Sequence, residues 1–195
     1  MKKAQQEKEK EYTMTKKIGL IVGSLRKESW NRKVAEKVKG MFPEGYEVEF
    51  IEIGDLPLYN EDFEKEKNEP ESYARFRNEV EEKDGYIFFT PEYNRLLSPA
   101  IKNAIDVASR PYGKSKWGTK PAAVASASVG SSGGMAANFS LRQNLIFVDL
   151  IPLQQPEVYL SAVHEKFDKE GELIKDTEDF LQGFVDAFIN HVERF

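Results

Sequence analysis

Ile18-Gly19-Leu20-Ile21-Val22 is apolar from end to end, too short for a core helix and without the alternation of a strand that has one wet face. Such a run is a strand covered on both sides, the condition of a central strand in a parallel sheet. Tyr86-Ile87-Phe88-Phe89 repeats the pattern. Each run leads through a loop into helical spacing: Val34, Val38 and Met41 after the first, Leu97, Ile101, Ala104, Ile105 and Ala108 after the second. Strands alternating with helices over connections this short wind in one hand and cover both faces of a sheet.

The rest of the chain keeps the alternation. Tyr46 to Ile53 sets Val48 and Phe50 against Glu47 and Glu49, an amphipathic strand nearer a sheet edge. Leu58 to Glu69 is charged and irregular and reads as a surface loop anchored by Tyr59 and Phe63. Pro70 opens a helix with Tyr73, Phe76, Arg77 and Val80 along one side, closed by Asp84-Gly85. Lys120 to Ala127 is a fourth strand of small residues. The helix expected over Met135 to Asp149 holds Phe139, Leu141, Leu145, Ile146 and Phe147, more apolar residues than one face can take. It is either deeply enclosed or meets another subunit, and the second reading is the expected one. A short strand near Pro152 to Leu160 follows, then a last helix striped by Phe180, Leu181, Phe184, Val185, Phe188, Ile189 and Val192. The expected fold is α/β: a doubly wound five-stranded parallel sheet in strand order 2-1-3-4-5 over residues 16–195, preceded by a charged, disordered tail over residues 1–15.

Composition removes several classes of function. The 195 residues contain no cysteine, which rules out a thiolate nucleophile, a disulfide or a Cys-bound metal. A net charge of −5 gives no basic excess for nucleic acid or an anionic membrane. No apolar run approaches the roughly 20 residues that span a bilayer. The two histidines stand alone, without metal-ligand spacing. A cytoplasmic protein without nucleic-acid, membrane or metal partners is expected.

In doubly wound sheets, ligands bind beyond the carboxyl ends of the strands where strand order reverses. The loop after the first strand carries Ser24, Arg26, Ser29 and Asn31 before a helix. Hydroxyls, a guanidinium and free helix amides make a seat for a phosphate. The plainer alternatives are that Ser29 only caps its helix and Arg26 is a solvated charge. The third strand delivers Pro91-Glu92-Tyr93-Asn94, and the fourth runs into the Gly- and Ser-rich turn from Ser128 to Gly134. In the order 2-1-3-4-5 these loops are neighbours, so one shared site is expected.

These residues carry a resemblance. Gly23-Ser24-Leu25-Arg26 with Ser29 and Asn31, then Pro91-Glu92-Tyr93-Asn94, then Lys102-Asn103-Ala104-Ile105-Asp106 with Ser109-Arg110, are similar to the signatures of the NADPH-dependent FMN reductases, a flavodoxin-like family that includes bacterial quinone and chromate reductases. The Ser126-to-Gly134 loop and Leu141-Arg142-Gln143 resemble its third segment. The resemblance implies noncovalent FMN, its phosphate held by Ser24, Arg26, Ser29 and Asn31. The flavin ring would rest on Pro91, Glu92, Tyr93, Asn94 and Arg95, its other edge closed by Ser126, Ser128 and Gly130. It further implies NADPH or NADH as donor, a quinone, azo compound, metal oxyanion or free flavin as acceptor, ping-pong kinetics, and a homodimer or homotetramer. The cofactor carries the chemistry, so no catalytic residue is assigned.

The run Arg95-Leu96-Leu97-Ser98 departs from the family's usual continuation. Arg95 would stand close to the ring; the plainer reading is a surface arginine paired with a nearby carboxylate, and the alternative is that it attracts the nucleotide's phosphates or steadies reduced flavin. Val107 stands where the family often has tryptophan. Two rival readings remain: a non-catalytic flavin-binding electron carrier, and a serine hydrolase built on Gly130-Ser131-Ser132-Gly133-Gly134 with Asp149 and His164.

Overall fold

A computed structural model describes residues 15–195, so nearly all of the expected N-terminal tail lies outside the described residues. The strands are β1 (Lys16–Val22), β2 (Tyr46–Phe50), β3 (Gly85–Thr90), β4 (Pro121–Ala127), β5 (Ile151–Pro152) and β6 (Val158–Leu160). The helices are α1 (Trp30–Lys39), α2 (Asp62–Glu66), α3 (Glu71–Glu81), α4 (Pro99–Ala108), α5 (Met135–Phe147) and α6 (Lys175–Val192). The sheet is parallel in the order β2-β1-β3-β4-β5, with β6 also on β4. The expected order therefore holds.

Each face of the sheet has its own core, because successive side chains on a strand point to opposite sides. Ile18, Leu20 and Val22 pack with Val34 and Val38 of α1 and Leu181, Phe184 and Phe188 of α6. Ile21, Tyr86 and Phe88 pack on the other side with Phe76 of α3, Ile101 of α4, Leu141 of α5 and Trp117. Trp117 is fully buried, and its indole N–H donates to Ile105 O at 3.0 Å. Val107 is buried too, and its carbonyl accepts from Arg77 Nε at 2.9 Å. The strands β3 and β4 are buried at every position, whereas β2 buries only Val48, as an edge strand should.

Several elements differ from the sequence reading. The fifth strand is split: β5 pairs with Pro121 and Ala122, β6 with Ala125 to Ala127. Pro152 ends β5 and Pro156 lies within the gap, and a proline has no N–H to offer a ladder. The segment expected as a plain loop contains α2, ended by Lys67 in a left-handed conformation at φ 55°. Arg110 clamps it through Glu64 at 3.2 Å and Glu61 at 3.5 Å, while Asn103 of α4 accepts from Tyr59 N at 2.8 Å. The helix α5 is not enclosed: Ala137, Asn138, Leu141 and Leu145 are buried, but Met135, Phe139, Ile146 and Phe147 face out. Phe180 likewise lies outside the buried stripe of α6.

Gly183 sits inside α6, and a β-carbon added there would meet nothing within 4 Å. Glycine in a helix interior costs about 0.5–1 kcal/mol relative to alanine. The variant Gly183→Ala is expected to gain about that much stability, read as a rise of about 1–4 °C in the thermal midpoint.

Candidate functional site

The C-terminal ends of β1, β3 and β4 lie side by side, and their loops are bonded to one another. Gly23 N donates to Phe89 O at 2.8 Å, joining the exits of β1 and β3. Asn31, at the start of α1, donates from Nδ2 to Ala127 O at 3.0 Å, joining the first loop to the exit of β4. Thr90 and Ser126 are register partners. The rim is thus one connected surface.

The first loop leaves donors unspent. Ser29 caps α1, its Oγ accepting from Arg32 N at 3.2 Å. Capping uses the hydroxyl as acceptor, so its O–H remains to donate; the two readings of Ser29 are compatible. The amides of Trp30 and Asn31 have no acceptor among the described residues. Arg26 and Lys27 are exposed, and neither forms an ion pair among the described residues. Arg26 makes one long hydrogen bond, 3.3 Å to Glu28 O. An open cleft of about 430 Å³ lies against Ser24, Arg26 and Arg32 on the β2 side of the loop. Asn31 departs from expectation in one respect. One N–H of its amide is taken by Ala127 O, and the atom left buried without a partner among the described residues is the acceptor Oδ1.

The second loop is a hairpin in miniature. Tyr93 and Leu96 exchange both backbone hydrogen bonds at 3.1 Å around Asn94 and Arg95, whose φ values are 52° and 67°. Two central residues with positive φ define the mirror-image turn that suits a two-residue hairpin and favours Asn-Gly. Asparagine tolerates the left-handed region, but arginine there costs about 1–2 kcal/mol. The side chain of Arg95 is 79% exposed, and Nη1 lies 3.6 Å from Glu92 Oε1.

Glu92 joins the second loop to the third. Its Oε2 accepts from Ala137 N in the first turn of α5 at 3.2 Å, and its side chain is only 13% exposed. The residue at the cap position of α5 is Gly134, which has no side chain to do this. A carboxylate at a helix N-terminus satisfies a free amide and meets the positive end of the dipole. This role escapes a local sequence reading because the cap comes from another loop; the signal was Gly133-Gly134 opening a helix with no Ser, Thr, Asp or Asn. The variant Glu92→Ala is expected to cost about 1 kcal/mol of stability, measured by denaturant unfolding, whereas Glu92→Gln keeps an acceptor and most of it.

The third loop folds over β6. Ser128 Oγ accepts from Gly130 N at 3.1 Å, and Ser128 N donates to Leu160 O at 3.0 Å. Gly130 is exposed on the rim. Ser126 lies beneath it, fully inside β4, its hydroxyl donating to Val158 O at 3.3 Å and accepting from Asn138 Nδ2 at 3.4 Å. The structure therefore brings Ser24, Arg26, Ser29, the Pro91-to-Arg95 hairpin, Ser128 and Gly130 to one rim and leaves Ser126 below it. Burial, then the nearby Glu157 carboxylate, pushes the Tyr159 phenol up to about 12, and its oxygen has no hydrogen-bond partner among the described residues. That phenol stays protonated at neutral pH.

The hydrolase reading fails on geometry. Ser132 is half-buried on a turn five residues past the end of β4, not on the sharp strand-to-helix elbow such a nucleophile needs. No hydrogen bond joins it to His164 among the described residues; His164 lies 3.7 Å from Glu165. No cluster of metal-binding side chains occurs among the described residues, and no described helix is long and apolar enough to cross a membrane.

Comparison with known proteins agrees with this geometry. The family model described as NADPH-dependent FMN reductase matches residues 16–165. A quinone reductase of Pseudomonas putida strain KT2440 is 49% identical over 176 residues, 90% of this chain and 94% of that protein. Among solved structures, FerB of Paracoccus denitrificans, a flavoenzyme NAD(P)H:(acceptor) oxidoreductase, superposes with a TM-score of 0.85 at 39% identity, covering 92% of this chain and 98% of FerB. A flavodoxin from Pseudomonas aeruginosa, at 16% identity and a TM-score of 0.53 over 88% of this chain and 98% of that one, shares the fold.

Proposed function

Since the chain belongs to the NADPH-dependent FMN reductase family, we propose that it holds FMN noncovalently across the loops after β1, β3 and β4 and oxidises NAD(P)H at the expense of a quinone or another small acceptor. The observation that carries this is the rim itself: three loops bonded into one surface, and on the first of them two helix amides without an acceptor and two cations, Arg26 and Lys27, without an ion pair among the described residues.

The residues present fit the cofactor. Ser24, the guanidinium of Arg26, the O–H of Ser29 and the free amides of Trp30 and Asn31 are all donors, as a phosphate requires. Asn31 Oδ1 is an orphaned buried acceptor. It suits a hydroxyl of the ribityl chain rather than a phosphate oxygen. Pro91 to Asn94 would support the ring from the hairpin, with Ser128 and Gly130 at its opposite edge. When bound, FMN supplies the two-electron chemistry that passes reducing equivalents from donor to acceptor. The protein's share is to seat, orient and shield, and no side chain is assigned as acid or base.

Donor and acceptor would approach the same open rim and so exclude each other, which gives ping-pong kinetics. Azo compounds, metal oxyanions and free flavin are further acceptor classes of the reading. The exposed stripe of Met135, Phe139 and Ile146 on α5 is proposed as the contact with a second copy in a homodimer or homotetramer. Its donor is a cytoplasmic nucleotide, and the cytoplasm is the proposed place of action.

The test is spectroscopic. Purified protein supplied with FMN and desalted is expected to be yellow and to bleach when NADPH is added without oxygen. A protein that stays colourless refutes the reading. One that retains flavin but does not oxidise NADPH is an electron carrier instead.

A further inference from the structure

We propose that Arg95 binds a phosphate of the nicotinamide nucleotide and so sets how tightly the donor is held. The inference rests on the proposed oxidoreductase function and names the residue that meets the donor.

Nothing within the fold requires arginine at this position. The second central residue of the hairpin turn has φ 67°, where glycine is the favoured residue. Among the described residues the guanidinium's one polar partner is Glu92, at 3.6 Å, beyond hydrogen-bond reach, and Glu92 is already fastened to Ala137 N through its other oxygen. All the donors of Arg95 are therefore available, and the carboxylate beside it keeps the side chain near the rim. A pair at this separation, with its arginine 79% exposed, is weak and easily exchanged for a better partner.

Positive charge on the rim is scarce. The first loop has Arg26 and Lys27, the turn from Ser128 to Gly134 has none, and the hairpin has Arg95 alone. With the first loop's cations facing the cofactor's own phosphate, a second anion arriving at the same rim finds its charge partner on the hairpin. The chain carries a net charge of −5, so a polyanionic nucleotide needs a local attractive patch to bind. A planar guanidinium grips a phosphate with paired hydrogen bonds, which an ammonium reproduces only in part.

Glycine at position 95 separates this role from a structural one, because it relieves the backbone while removing the charge. In the FMN-loaded protein, Arg95→Gly is expected to keep or raise the thermal midpoint. The same substitution should weaken NADP⁺ binding, followed by calorimetry, by about tenfold to a hundredfold. The salt dependence of that binding should flatten, KM for NADPH should rise in step with kcat much less affected, and Arg95→Lys should recover part of the loss. Unchanged NADP⁺ affinity and salt dependence in Arg95→Gly overturn the assignment. A wild-type flavoprotein that NADPH does not reduce overturns the functional reading as well; one that NADPH reduces normally, with Arg95→Gly indistinguishable from it, overturns the role of Arg95 alone.

Discussion

Gly133→Ala is expected to unfold at a midpoint about 6–12 °C below wild type, the equivalent of about 3 kcal/mol in a domain of this size. Gly133 has φ 59°, and a β-carbon there would lie 2.6 Å from Tyr159 C, 2.7 Å from Tyr159 O and 2.9 Å from Ser161 N. The left-handed backbone costs an alanine about 1–2 kcal/mol, and overpacking a tight site adds about 1–3 kcal/mol. All of the atoms met belong to the backbone leaving β6, so no side chain can swing aside. The third loop must lift from the strand it covers. FMN retention should fall with the midpoint, because that loop closes one edge of the proposed site. The contrast is Gly130→Ala, whose added β-carbon would meet only Ser128 Oγ, at 3.5 Å; its stability should stay within about 0.5 kcal/mol of wild type. Equal midpoints for the two variants would mean that the third loop is not seated on β6.

The rim works as a unit because each loop is held by another element. Asn31 fastens the first to the exit of β4, and Glu92 fastens the second to the start of α5. Neither bond is local in sequence, and this decides what could be read from the sequence alone. The central strands were legible because burial on both faces leaves an unbroken apolar run, as in Ile18 to Val22 and Tyr86 to Phe89. The helices were legible from their spacing and from local caps such as Ser29 and Ser98. The strand order followed from the alternation, and with it the meeting of the loops at one edge.

The rest depended on partners far along the chain. Five residues of α2 are too few to show a period; the helix leans on Arg110, and the segment leading into it on Asn103. The break between β5 and β6 places two pieces on different ends of β4, a distinction that a run of short apolar residues does not encode. The reversed turn at Asn94-Arg95 was hidden because its second residue is not the glycine that marks such turns. Asn31 stands on the first loop and Ser126 near the end of β4, where the chain order puts them, but the direction of their hydrogen bonds is a property of the packed structure. Ser126 is spent on Val158, and Asn31 keeps an acceptor where a donor was expected.

That reversal can be tested by exchanging one side-chain group. Asn31→Asp keeps the shape of the residue but replaces the amide that donates to Ala127 O with an oxygen that repels it. Asn31 is 4% exposed, so the new carboxylate would be buried without a partner, a fault that costs about 3–5 kcal/mol. Burial raises the pKa of such a group above the value of about 3.9 it has in the unfolded chain. The sign follows: below that unfolded value the carboxyl is neutral in both states and its O–H can still donate to Ala127. As pH rises, the unfolded chain ionises first, and stability falls until the folded group ionises too. The deficit against wild type should therefore be small near pH 4 and full at neutral pH. FMN affinity at pH 7 should drop by at least about a hundredfold, since the variant adds a negative charge beside a phosphate seat and frees the first loop from β4. Unfolding curves at several pH values, together with flavin fluorescence titrations, measure both effects. A deficit that does not change with pH would show that Asn31 is not locked against Ala127, and the connected rim would then have to be built some other way.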